Sequence, residues 1–228
     1  MMTVREIKRA IEILPIADQE DIREWAQAFQ ISHLRVEEPA PLPYLTTREF
    51  ISVEDYLEQE TLSDVRHEYI GGTVYAMSGT SEAHALIAGN LFSEIHAHLR
   101  GKPCKPYIAD FKVRIEINQE DVIYYPDVMV ASTRDGVEQY FLRYPKLIVE
   151  VLSPSTESID RREKLLSYTQ IPTVEEYALL SQKTLQLTIH RRANRWRPQV
   201  VSGAEASADF HSIDLSVPLA QIYEGLSL

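Results

Sequence analysis

Apolar and polar positions alternate along Phe111, Lys112, Val113, Arg114, Ile115, Glu116 and Ile117, the period of two that predicts a strand with one wet face. A different period governs 81–99, where Ile87, Leu91, Ile95 and Leu99 recur on one flank of a long helix that Gly101 and Pro103 bring to an end. Two runs are apolar on both faces and suit buried strands: 122–131, interrupted by Pro126, and 147–152, in which Glu150 is the sole charge. Ser52 and Asp55 can cap a short helix carrying Tyr56 and Leu57. A strand around 66–70 then turns at Gly71-Gly72 into its partner at 73–77, because a two-residue hairpin needs the positive φ that glycine adopts freely. Further on, 159–169 reads as helix, 176–180, 185–191 and 196–201 as strands, and 218–223 as a terminal helical turn.

The N-terminal segment has its own pattern. Val4, Ile7, Ile11 and Leu14 keep helical spacing up to Pro15, and Asp18 with Asp21 can start a second helix bearing Ile22, Trp25, Ala26 and Phe29. Two such short stripes offer too little apolar surface for a core of their own. Pro39, Pro41 and Pro43, alternating with Ala40 and Leu42, disfavour helix and suit an extended connection. The expected organisation is therefore a helical hairpin and linker over 1–43 and one α/β domain over 44–228.

Composition narrows the class. The chain has 228 residues, 44% hydrophobic and 25% charged, which is ordinary globular usage. With no apolar run of ~18 residues and no signal-like N-terminus, it reads as cytoplasmic and free of the membrane. Cys104 is the only cysteine, so disulfide frameworks and cysteine-built zinc sites are excluded. Lys and Arg number 23 against 34 for Asp and Glu, a formal charge of -11. A global positive field for nucleic acid is absent, yet a metal-dependent nuclease survives this test, because carboxylates build the site and the cation supplies the local positive charge.

Glu150 demands an explanation, since an ionised carboxylate inside an apolar strand costs several kcal/mol unless it is paired or bound to metal. Alternation sends it opposite to Val149 and Val151, toward a cleft; a buried salt bridge or an edge position facing water would satisfy it equally well. Asp127 follows Pro126, where the ladder is interrupted and a carboxylate can project from a strand end, or simply punctuate a turn. Glu68, ahead of the glycine turn, says little alone. Lys164 shares a helix face with Asp160 and Tyr168, as an exposed ion pair or as a catalytic cation. His84, in the opening turn of the long helix, reads as a local cap or packing residue before it reads as part of a site, and metal ligation is not assigned to it.

The ordered set Arg66-His67-Glu68-Tyr69-Ile70-Gly71-Gly72, Pro126-Asp127-Val128, Ile148-Val149-Glu150-Val151-Leu152-Ser153-Pro154-Ser155-Thr156, and Asp160 through Lys164 to Tyr168 resembles the Uma-type restriction endonuclease family, within the PD-(D/E)XK nuclease superfamily. The likeness runs from about Tyr44 to the C-terminus. It implies a restriction-endonuclease-like core, a mixed β-sheet flanked by helices, with Asp127 as the first metal-binding acid, Glu150 as the second and Glu68 as an additional acid. The superfamily places lysine two residues after the second acid. Here that position is Leu152, and the resemblance transfers the lysine role to Lys164.

On this basis Asp127, Glu150 and the Val151 carbonyl would hold Mg²⁺, or Mn²⁺, with room for waters and a substrate phosphate. Lys164 would orient or help deprotonate the attacking water, and Glu68 would complete the shell through water or support a second metal. The expected function is a Mg²⁺-dependent endonuclease that hydrolyses phosphodiester bonds, with DNA as the expected nucleic-acid partner. Leu152 and the acidic balance motivate an alternative, a catalytically inactive nuclease-fold module that binds nucleic acid or regulates. A third expectation gives the N-terminal hairpin a docking or homodimer-forming role.

Overall fold

The computed structural model describes residues 50–227 apart from Ser78, 133–136 and Ser155. The expected N-terminal hairpin and linker, 1–43, lie outside the described residues. Helix α1 (Val53–Glu60) begins where Ser52 accepts the Asp55 backbone N–H. Strands β1 (His67–Ile70) and β2 (Thr73–Ala76) form the expected hairpin, in register Ile70↔Thr73, with φ of 53° at Gly71 and 91° at Gly72. Helix α2 (Glu82–Leu99) follows, capped by Ser81, and then strands β3 (Cys104–Ile108), β4 (Lys112–Ile117), β5 (Glu120–Tyr124), β6 (Val128–Ser132), β7 (Phe141–Leu142) and β8 (Pro145–Leu152). A broken helix comprises α3 (Glu157–Ile159), a π-helical turn (Asp160–Lys164) and α4 (Leu165–Thr169). Strands β9 (Glu176–Ser181), β10 (Gln186–Arg191), β11 (Pro198–Ser202), β12 (Ser207–Phe210) and β13 (Leu215–Pro218) and helix α5 (Leu219–Ile222) complete the described part.

The strands divide between two mixed sheets and a hairpin rather than forming one sheet. The larger has the order β11-β10-β9-β8-β6-β3, the smaller β2-β1-β5-β4-β7, and β12 pairs with β13. In the larger sheet β8 and β9 are parallel, and β6 lies antiparallel to β8. Alternation sorts the side chains of this central sheet between two cores. Val128, Val130, Leu147, Val149, Val151, Ala178 and Leu180 meet α2 and the C-terminal elements. Met129, Ala131, Ile148, Leu152, Tyr177 and Leu179 face the opposite way, where Val113, Ile115, Val122 and Tyr124 of the smaller sheet and Tyr168 of α4 cover them. Glu150 belongs by parity to this second face, between the two sheets.

Three sequence expectations change. The apolar run 122–131 is two strands, because Pro126 cannot donate to a ladder and Asp127 diverts the chain. Strand β3 has no counterpart among the strands expected from the sequence, and its Pro106 is tolerated because β3 is the sheet edge. The polar side of β4 is wet only toward its end, at the exposed Glu116: Lys112 is buried with Nζ 5.0 Å from the Tyr125 ring centroid, and burial lowers its pKa, while Arg114 forms a two-pronged pair with Asp121 at 2.6 and 2.9 Å. Among the described residues, no helix is long and apolar enough to cross a membrane.

Leu91 is fully buried where α2 covers the central sheet. Leu91→Ala should therefore cost about 2–5 kcal/mol, read as a lowered denaturant midpoint.

Candidate functional site

The end of β8 brings the carboxylates together. Val128 pairs with Val149, so one step beyond the ladder Asp127 stands across from Glu150. Asp127 replaces the missing rung with its side chain: Oδ2 accepts the Val151 N–H at 2.7 Å. The Val151 carbonyl leaves the strand on the same side as that N–H, because a residue's two backbone polar groups point toward one neighbouring strand. Asp127 Oδ1 lies 2.7 Å from His84 Nε2, at the start of α2.

Glu150 sits at the centre, 3% exposed. Its Oε1 accepts from Tyr168 OH at 2.8 Å and from Lys164 Nζ at 3.2 Å. The ammonium also faces Glu68 Oε1 at 3.0 Å and Asp160 Oδ1 at 3.3 Å. These last two oxygens are buried at ion-pair distance from Lys164 but make no hydrogen bond to it. Thr156 donates to Asp160 Oδ2 at 2.7 Å, Tyr177 OH donates to the Asp160 carbonyl at 2.9 Å, and Tyr124 holds its ring centroid 5.3 Å from the ammonium. The π-helical turn supplies both Asp160 and Lys164, so the local widening of the helix coincides with its two buried charges.

Three carboxylates sharing one buried ammonium set the electrostatics. Burial pushes the Glu150 carboxyl well above the usual carboxylate range; Lys164 opposes this, while the charges of Asp127 and Asp160 add to it. Asp160 is raised for the same first reason, burial, against the pull of Lys164 and Thr156. For Lys164 burial acts to lower the pKa, but Glu150, Glu68 and Asp160 together outweigh it and hold the ammonium charged above the ordinary lysine value. The lysine thus keeps its proton, and burial favours the protonated form of Glu150 most strongly.

Glu68, Glu150 and Lys164 are in mutual contact through the ammonium, and Asp127 is Glu150's neighbour across the strand gap. The exposed ion pair considered for Asp160 and Lys164 is instead buried, the side chains being 3% and 6% exposed. His84 does more than cap or pack its own helix turn: its ring bonds Asp127, 43 residues away, a partner that its place in the opening turn of α2 does not signal. Asp160 was legible as a partner of Lys164 four residues away, and Tyr168 as a residue of the same helix face, although its hydroxyl bonds Glu150; Tyr124, Tyr177 and Gln182 carried no sequence signal of their roles. A cavity of about 300 Å³, lined by Leu152, Ser153, Glu157, Gln182 and Lys183 among others, opens at the C-terminal ends of β8 and β9.

The oxygen donors of this set are of the hard kind that divalent cations prefer. Among the described residues no three or more His, Cys, Asp or Glu side chains gather in metal-ligating arrangement. Two carboxylates and a carbonyl nevertheless suit Mg²⁺, which retains several waters. The excess of buried acid over cation, with two carboxylate oxygens lacking a hydrogen bond, is the feature a cation would relieve.

Comparison with known proteins points in one direction. A family profile described as "Putative restriction endonuclease" (Uma2) matches residues 53–220. The Synechocystis protein slr1290, described as uncharacterized, is 35% identical over 191 residues, covering 82% of this chain and 96% of that one. A second uncharacterized Synechocystis protein, sll1609, is 25% identical over 171 residues, covering 73% and 96%. Among solved structures, a "putative nuclease belonging to DUF820" from Anabaena variabilis superposes with a TM-score of 0.63 at 16% identity, over 76% of this chain and 97% of that one, a likeness of fold. The mixed α/β architecture matches a restriction-endonuclease-like fold, and with the family profile spanning most of its length the chain belongs to the Uma2 family of restriction-endonuclease-like proteins.

Proposed function

We propose that this protein is a divalent-metal-dependent endonuclease that hydrolyses phosphodiester bonds in DNA, with Asp127 and Glu150 as metal-binding acids, the Val151 carbonyl as a further ligand, and Glu68 and Lys164 as supporting groups. The observation that carries this reading is the register that sets Asp127 across from Glu150 at the end of β8, beside a surplus of buried carboxylate. Restriction-endonuclease-like families generally work with divalent metals, and the family description supports a nuclease.

A bound Mg²⁺ or Mn²⁺ would activate water and offset charge on the phosphate. The protein's own part begins with Asp127, whose two oxygens are each held by a protein donor, so that carboxylate arrives already oriented. Tyr168 and Lys164 fix Glu150 through one oxygen, Oε1. Because Lys164 retains its proton, it donates to Glu150, pairs in charge with Glu68 and steadies water or phosphate oxygen, rather than acting as the base that takes the water's proton. Leu152 packs into the apolar layer between the sheets, so the ammonium beside Glu150 comes from the helix instead of the strand.

Titrating Mg²⁺ or Mn²⁺ against supercoiled and linear DNA tests the reading directly. Wild type should cleave only with metal, and Asp127→Ala should not cleave. Metal-dependent DNA binding with no cleavage under either ion would favour the inactive binding module instead.

Burial of Glu150 also predicts a pH dependence. A carboxyl whose folded pKa is raised contributes stability that is fully present below its unfolded value of about 4.3 and is lost as pH rises through the folded value. In chelator, the melting temperature of wild type should therefore decline through that window, and Glu150→Gln should remove that part of the decline. Parallel melting curves for the two proteins across pH would refute the assignment.

A further inference from the structure

A chain of hydrogen bonds outside the carboxylate cluster ends on Asp127. Ser81 caps α2 by accepting the His84 backbone N–H at 3.2 Å, and the same hydroxyl donates to Gln182 Oε1 at 2.6 Å. Gln182, one residue past β9, donates from Nε2 to the Leu152 carbonyl at 2.9 Å. A carbonyl can only accept, so this contact settles which end of the amide is nitrogen. The same NH₂ lies 3.4 Å from His84 Nδ1. A donor facing Nδ1 requires a lone pair there, which puts the proton of the neutral ring on Nε2, 2.7 Å from Asp127 Oδ1. The other carboxylate oxygen takes the Val151 N–H at 2.7 Å. Each oxygen keeps a further lone pair for a ligand, since an ionised carboxylate offers about four acceptor sites.

We propose that Ser81, Gln182 and His84 form a positioning chain that locks His84 as an Nε2–H donor and so holds the Asp127 carboxylate in one orientation at the end of β8. Its consequence for function rests on Asp127 being a metal-binding acid, but the tautomer at its centre does not. His84 is here a positioning residue and not a metal ligand, because the nitrogen that meets Asp127 carries the proton. Partners that orient a ligating carboxylate change metal affinity by roughly 10–100-fold when removed.

The full chain labelled with ¹⁵N-histidine, studied by NMR in chelator, reads the tautomer without metal, with His84→Gln identifying the His84 signals. Wild type should show protonated Nε2 and bare Nδ1. Gln182→Glu, which sets an acceptor against Nδ1 while Asp127 still accepts at Nε2, should add a proton at Nδ1. Calorimetric titration with Mn²⁺ supplies the second readout. His84→Leu should bind about tenfold more weakly, and His84→Gln, whose amide nitrogen reaches the place of Nε2, should recover most of that loss. Protonated Nδ1 in wild type, or equal Mn²⁺ affinity in wild type and His84→Leu, overturns the positioning chain and leaves the metal assignment standing. Protonated Nε2 that responds to Gln182→Glu, in a wild type that takes up no Mn²⁺, overturns the metal assignment of Asp127 and upholds the chain.

Discussion

Glu150→Gln is expected to lower metal-dependent DNA cleavage by roughly 10³-fold, the upper end of what removing one preorganised electrostatic group costs. The substitution preserves shape, and the amide oxygen can still accept from Tyr168 and Lys164, which now bond Oε1 at 2.8 and 3.2 Å. What it removes is the negative charge that a cation needs. Burial already disfavours that charge in the metal-free protein, so the variant should be no less stable than wild type in chelator. Single-turnover cleavage rates and thermal unfolding, measured side by side, separate the two effects. A variant that cleaves within tenfold of wild type would remove Glu150 from the chemistry.

Lys164→Met should have the largest effect on stability. It withdraws the ammonium that faces Glu150, Glu68 and Asp160, and breaking a buried pair by removing one partner costs about 3–5 kcal/mol. The sign with pH follows from the acids left behind. Glu150 and Asp160 already have raised values, and loss of the opposing Lys164 charge raises them further. Their contribution is then retained at low pH, where they carry protons, and lost as pH rises through those higher values. Urea unfolding should show the variant close to wild type in mild acid and much weaker above neutrality. An equal deficit at both pH values would mean that the three carboxylates do not depend on the ammonium.

The periodic elements were legible because their signals are local. The spacing of Ile87, Leu91, Ile95 and Leu99 marked α2, the Gly71-Gly72 pair marked the first hairpin, and the lone acid in the apolar run 147–152 marked β8 as a strand with something to compensate. Strand β3 and the division of the strands between two sheets were not legible, because an edge position and the choice of sheet partner depend on contacts distant in sequence. Lys112 shows the same limit in one residue: its place in the alternation is polar, but Tyr125 covers it.

By itself the sequence determined the parity of Glu150, opposite Val149 and Val151, and the turn at Pro126 that frees Asp127 from the ladder, since both follow from backbone geometry over a few residues. Only the tertiary structure decided that Glu68, Glu150 and Asp160 share an ammonium, that Asp127 is gripped by His84 and the Val151 N–H, and that Glu150 lies buried between two sheets. The reason is that a carboxylate's charge state and orientation are set by burial and by its through-space partners, and here those partners arrive from a hairpin, a helix cap and a π-helical turn far apart along the chain.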